Sequence, residues 1–97
     1  MNTSENTNEP TADHFTSPSA LRQFALDTAT QLRQAGLSEA ADVMEAAANF
    51  PATTGSEWLG ELGIASKTIG ERFKLSEVLR AKVVRIARTA ASRRPYG

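Results

Sequence analysis

Cysteine is absent from the 97-residue chain, which excludes disulfides, thiolate metal sites and a cysteine nucleophile. Histidine occurs once, as His14, in a polar N-terminal stretch. A general base must be held within hydrogen-bond reach of its proton, so a lone histidine there reads as a solvated residue. Long apolar runs are missing as well. No stretch approaches the roughly 18 residues that a bilayer span requires. The first residues carry Glu5, Glu9 and Asp13 without an apolar segment, unlike a signal or transit peptide. A cytoplasmic location and no membrane partner are the expectations. Strand-type alternation, internal repeats and phosphate-cradling glycine loops are also missing.

What remains points to helices. Residues 1–16 are rich in Asn, Thr, Glu, Ser and Pro, too polar to offset the entropy of ordering, and read as a disordered arm. The pattern then predicts an all-α fold over 17–92, a small bundle of three to four helices, followed by a basic flexible tail over 93–97. Ser17 and Pro18 start the first helix, and Leu21, Phe24, Ala25, Thr28 and Leu32 form its stripe. Gly36 ends it, with Leu37 closing the turn. Ser38 is expected to cap a second helix whose stripe is Ala40, Val43, Met44 and Ala47.

Thr54 and Glu57 have the spacing of a capping box. From there Trp58, Leu62, Ala65, Ile69 and Phe73 share one face of a third helix. Trp58, Leu62, Ile69 and Phe73 are the expected core. Gly60, Gly63 and Gly70 weaken this helix by roughly 1 kcal/mol each relative to Ala, so a break at Gly63 or Gly70 is an alternative. Ser76 caps the last helix, with Leu79, Val83, Ile86, Ala87 and Ala90 inward and Lys82, Arg85 and Arg88 on the opposite flank. A bent helix continuous with the third is the other reading.

Formal net charge is zero, yet the charge is divided. Residues 1–66 hold nine acids and two bases, for −7, and residues 67–97 hold nine bases and two acids, for +7. Either the halves neutralise each other on folding, or the basic part meets an acidic partner. The carboxylate pairs Asp42/Glu45 and Glu57/Glu61 each share a helix face. They lack the Glu-x-x-His companion of a di-metal bundle and read as solvated. No catalytic set, metal, cofactor or small-molecule substrate is indicated, and the chain reads as non-enzymatic.

One segment carries a resemblance. Leu62, Gly63, Ile64 and Ile69 stand where a helix-turn-helix DNA-binding unit places the residues around its turn and the buried residue of its recognition helix. The pattern departs at Leu59, where a small residue is usual, and at Arg72, where a buried one is. The resemblance covers about a dozen residues, 62–73, and implies that Ser66, Lys67, Thr68 and Arg72 face DNA. In a single continuous helix, Ile64 instead lies about 160° from the centre of the apolar face. A buried Ile64 beside a positive-φ Gly63 would mark the turn; an exposed Ile64 would mark one helix.

Two functions follow. The first is a helical protein-interaction module whose partner is another protein or a second copy, as in a homodimer. The alternative is a small DNA-binding regulator using 63–72 and the basic last helix. For nucleic-acid or acidic-partner contact the candidate residues are Ser66, Lys67, Arg72, Lys82, Arg85, Arg88, Arg93 and Arg94.

Overall fold

The computed structural model describes residues 15–96, and among them four helices form. Helix α1 spans Pro18–Gln34. The Ser17 hydroxyl accepts the Ala20 N–H at 3.1 Å, and Pro18 opens the helix. The chain leaves α1 through Gly36 at φ +85°. The Leu37 N–H donates to the Leu32 carbonyl at 2.9 Å and the Gly36 N–H to that of Arg33 at 3.0 Å. These two bonds make the Schellman closure expected there.

Helix α2 spans Ser38–Ala48. The expected Ser38 cap is corrected: Leu37 holds the cap position and no side chain bonds there. The Leu37 turn brings Ser38 directly into helical geometry.

Helix α3 runs unbroken over Gly55–Arg72. Its cap differs in detail from the capping box. The Thr54 hydroxyl accepts the Glu57 N–H at 3.1 Å, as expected. The Glu57 carboxylate, however, accepts from the backbone N–H and the hydroxyl of Thr53, each at 2.9 Å.

The chain turns extended at Phe73, and α4 spans Glu77–Ala91 with the Ser76 hydroxyl accepting the Leu79 N–H. The continuous α3–α4 helix is therefore not adopted. No helix among the described residues is long and apolar enough to cross a membrane.

The helices form a ring in chain order. Helix α1 packs on α2 and α4, α3 packs on α2 and α4, and the diagonal pairs stay apart. Cross-links fix the directions. Arg33 meets Asp42 near the α1–α2 turn, while Arg22 bonds Asn49 at the far end, so the two helices are antiparallel. The Trp58 indole donates to the Ala48 carbonyl at 3.0 Å, tying the start of α3 to the end of α2.

The core is built from Leu21 and Leu32 of α1, Met44 of α2, Leu62 and Ile69 of α3 and Ile86 of α4, all fully enclosed. Helix α2 adds buried Ala40, Ala41, Ala47 and Ala48, whose small side chains permit close approach. Trp58 and Phe73 correct the expected core: both are half-buried. The indole reaches out to bond a helix end, and Phe73 sits where the chain leaves α3.

The two ends of the described part of the chain are tied together. Phe15 is buried, its N–H donates to the Pro95 carbonyl at 3.0 Å, and a β-bridge pairs it with Tyr96. The expected boundaries of the arm and tail shift accordingly, because Phe15 and residues 95–96 belong to the packed body. Residues 1–14 of the expected arm, with His14, lie outside the described residues.

Candidate interaction surface

The proposed helix-turn-helix at 63–72 is not formed. Gly63 does not take the positive φ that Gly36 does, α3 passes through it, and Ile64 is 62% exposed. A turn there would have buried Ile64; a regular helix carries it to the outer face.

The candidate contact residues fall into three environments. Ser66 is 2% exposed and enclosed between helices, so it presents nothing to the surface. Lys82 and Arg85 face α1 rather than solvent. The Arg85 guanidinium lies 4.1 Å from the centre of the Phe15 ring and 4.8 Å from that of Phe24, and the Lys82 ammonium lies 5.5 Å from Phe24. The two rings are themselves 5.3 Å apart. Ring faces attract such cations electrostatically, so these residues hold Phe15 and α1 to α4. Arg72 is exposed with its guanidinium 5.7 Å from the Phe73 ring.

Lys67, Arg88, Arg93 and Arg94 are exposed. Arg80, which is not among the candidates, is exposed with them. Arg80, Val84 and Arg88 recur every four residues and share the outer side of α4. None of these cations has an ion-pair partner among the described residues. The described ion pairs join Arg33 to Asp42 and to Glu45, both within the acid-rich half. Pairing therefore leaves the charge division in place.

The residue with the greatest consequence for the surface is Ile64. Two shallow depressions flank it. One of about 280 Å³ lies between α2 and α3, with Val43, Ala46 and Phe50 in its lining. The other, of about 330 Å³, lies between α3 and α4 beside Gly60, Gly63 and Ala87. Phe50 is itself 39% exposed. The signal was present in the sequence, since Ile64 is the apolar residue that the inward stripe of α3 cannot use.

Further depressions lie elsewhere. One, about 530 Å³, sits at the end of the bundle beside Trp58, where Arg22 bonds the Asn49 side chain at 2.7 Å. Another, about 450 Å³, runs along the α3–α4 seam and includes Ser66, Gly70 and Val84.

Fold and surface define a small antiparallel four-helix bundle with an exposed apolar patch on α3. Set against protein-family models, curated proteins and solved structures, the chain matches none.

Proposed function

We propose that the protein is a non-enzymatic helical interaction module that pairs with a second copy of itself through the outer face of α3. The observation that carries this reading is Ile64, 62% exposed at the centre of that face. Covering a side chain of this kind stabilises by roughly 1.5–3 kcal/mol. Around it lie small residues, Gly60, Gly63 and Ala46, that let another helix approach. Glu61 stands on one flank and Lys67 on the other. A two-fold contact sets a patch against its own image, and an apolar centre with one charge of each sign tolerates that arrangement. A bundle of this size buries a modest share of its surface alone and gains from association.

Sedimentation equilibrium of the full chain and of Ile64→Glu tests the reading. The expected result is a concentration-dependent dimer that the substitution weakens at least about tenfold, or 1.4 kcal/mol, with unchanged helical circular dichroism. A wild-type chain that stays monomeric at about 100 μM, equivalent to roughly −5.5 kcal/mol, would end it.

A second reading, contact with nucleic acid, draws on the unpaired cations Lys67, Arg80, Arg88, Arg93 and Arg94. It relies on phosphate attraction, without a recognition helix. Anisotropy of a labelled random duplex at low and near-physiological salt decides it. Binding that falls steeply with salt, and is lost when Arg80 and Arg88 become Gln, favours this reading. No binding at low salt removes it.

A further inference from the structure

A two-fold pairing through Ile64 can run in either of two directions, and the charge division distinguishes them. Helix α3 lies between α2 and α4 in the ring, so its outer face has two unlike flanks. Toward α2 stand Glu61 and Thr68, and toward α4 stand Gly60 and Lys67. The flanking helices continue the difference. Helix α2 carries Glu39, Asp42 and Glu45, all exposed, and no base. Arg33 meets Asp42 and Glu45, which still leaves that flank negative. Helix α4 carries one acid, Glu77, and four bases. Of these, Lys82 and Arg85 lie against the rings of Phe15 and Phe24, while Arg80 and Arg88 are exposed.

Symmetry then sets two cases. With the two-fold axis across α3, the paired helices run antiparallel and each flank meets its own copy. Helix α2 comes beside the partner's α2, and α4 beside the partner's α4. With the axis along α3, the helices run parallel and the flanks exchange. Helix α2 then comes beside the partner's α4 on both sides. The first case gathers like charges on each rim, and the second sets acids across from bases. Glu57 and Glu71, near the two ends of the seam, bring acid against acid in both directions and so favour neither.

The same symmetry disfavours the other exposed apolar position as the seam. Val84, 38% exposed, lies between Arg80 and Arg88. A two-fold contact there brings arginine against arginine in either direction.

We infer that two copies pair with their α3 helices parallel, the Glu61 flank of each against the Lys67 flank of the other. This geometry rests on the self-pairing through Ile64. Affinity still comes from covering Ile64. The charged rims select the direction, because complementarity fixes register and rejects wrong arrangements more than it adds affinity.

Disulfide trapping tests the direction, since the chain has no cysteine of its own. Thr68 and Glu71 lie within about 40° of Ile64 around α3, close to the seam. In a parallel pair each of these residues lies level with its own copy. In an antiparallel pair centred on Ile64, the two copies of residue 68 stand about 12 Å apart along the axis, and those of residue 71 about 21 Å. Full-length Thr68→Cys and Glu71→Cys, each alone in a glutathione redox buffer, should therefore both form disulfide-linked dimers. Adding Ile64→Glu to either chain should abolish the linkage. Changing Arg80 and Arg88 together to Gln should slow both linkages about threefold, the scale of exposed charge pairs. Failure of either linkage in a chain that sediments as a dimer would overturn the parallel geometry while leaving the pairing intact. Linkage rates indifferent to the two arginines would overturn the charge selection. A wild-type chain that stays monomeric would end the pairing itself, so the two readings fail separately.

Discussion

Ser66 and Thr89 sit in the interior of adjacent helices and have opposite fates. Thr89 returns its hydroxyl to the Arg85 carbonyl, whereas Ser66 leaves its own unmet. Ser66→Ala should therefore raise unfolding stability by about 1 kcal/mol in urea titrations. Glu57 makes a second prediction at this scale. The Thr53 backbone N–H and then its hydroxyl hold the Glu57 carboxyl below its ordinary value. A depressed carboxyl stabilises the fold above its unfolded-state value, and that contribution is lost as pH falls through the folded value. Glu57→Gln should thus be less stable than the wild type at neutral pH. The gap should close as the solution is acidified below the ordinary carboxylate range, read from thermal midpoints across pH. Tyr96 works in the other direction. Burial raises its phenol, so its contribution is present below the unfolded value and fades as pH rises beyond it.

Among the elements, α3 answers most to substitution. Gly60 is exposed, and a Cβ on it would meet nothing. Gly60→Ala should stabilise the monomer by up to about 1 kcal/mol, measured by chemical denaturation. Any accompanying loss of dimer would show that the glycine serves approach of a partner helix. The helix was largely legible in the sequence. Thr54 marked its start, Leu62 and Ile69 its buried side, and Ile64 its outer side. What could not be read was which of two geometries Gly63 would adopt, since both use Leu62 and Ile69 inward. The neighbouring Ala90, at ordinary contact distance from a Gly63 Cβ, belongs to the tertiary packing of a straight helix. The roles of Lys82 and Arg85 were hidden for a similar reason. Helical spacing placed them together on α4, but their aromatic partners come from α1 and from Phe15, far away in sequence. The depression along the α3–α4 seam was equally hidden, because Ser66 and Val84 become neighbours only when α3 and α4 dock.

At the scale of the whole molecule, the unneutralised charge division has a measurable result. Lys67 and Arg72 on α3 and Arg80 and Arg88 on α4 face solvent, while the described acids concentrate on the first three helices. Added salt screens interactions between exposed charges. If the Ile64 face forms the dimer through apolar burial, its dissociation constant should change little between low and near-physiological salt. Duplex binding through Arg80 and Arg88 would weaken steeply over the same interval. Sedimentation and anisotropy on one salt series separate the two surfaces.

The bridge between Phe15 and Tyr96 brings the path of the chain from residue 15 onward almost back upon itself. Four helices in a ring, each touching the next, make the order in which they are strung a matter of where the loop is cut. A circular permutant follows: a short glycine–serine linker from residue 96 to residue 15, with new termini between Pro51 and Ala52. It should keep every helix pair, since the new break falls in an irregular connection between α2 and α3. Its circular dichroism should match that of the parent chain. Because α3 and α4 would emerge first, such a permutant also offers a way to ask whether either helical hairpin can start folding without the other.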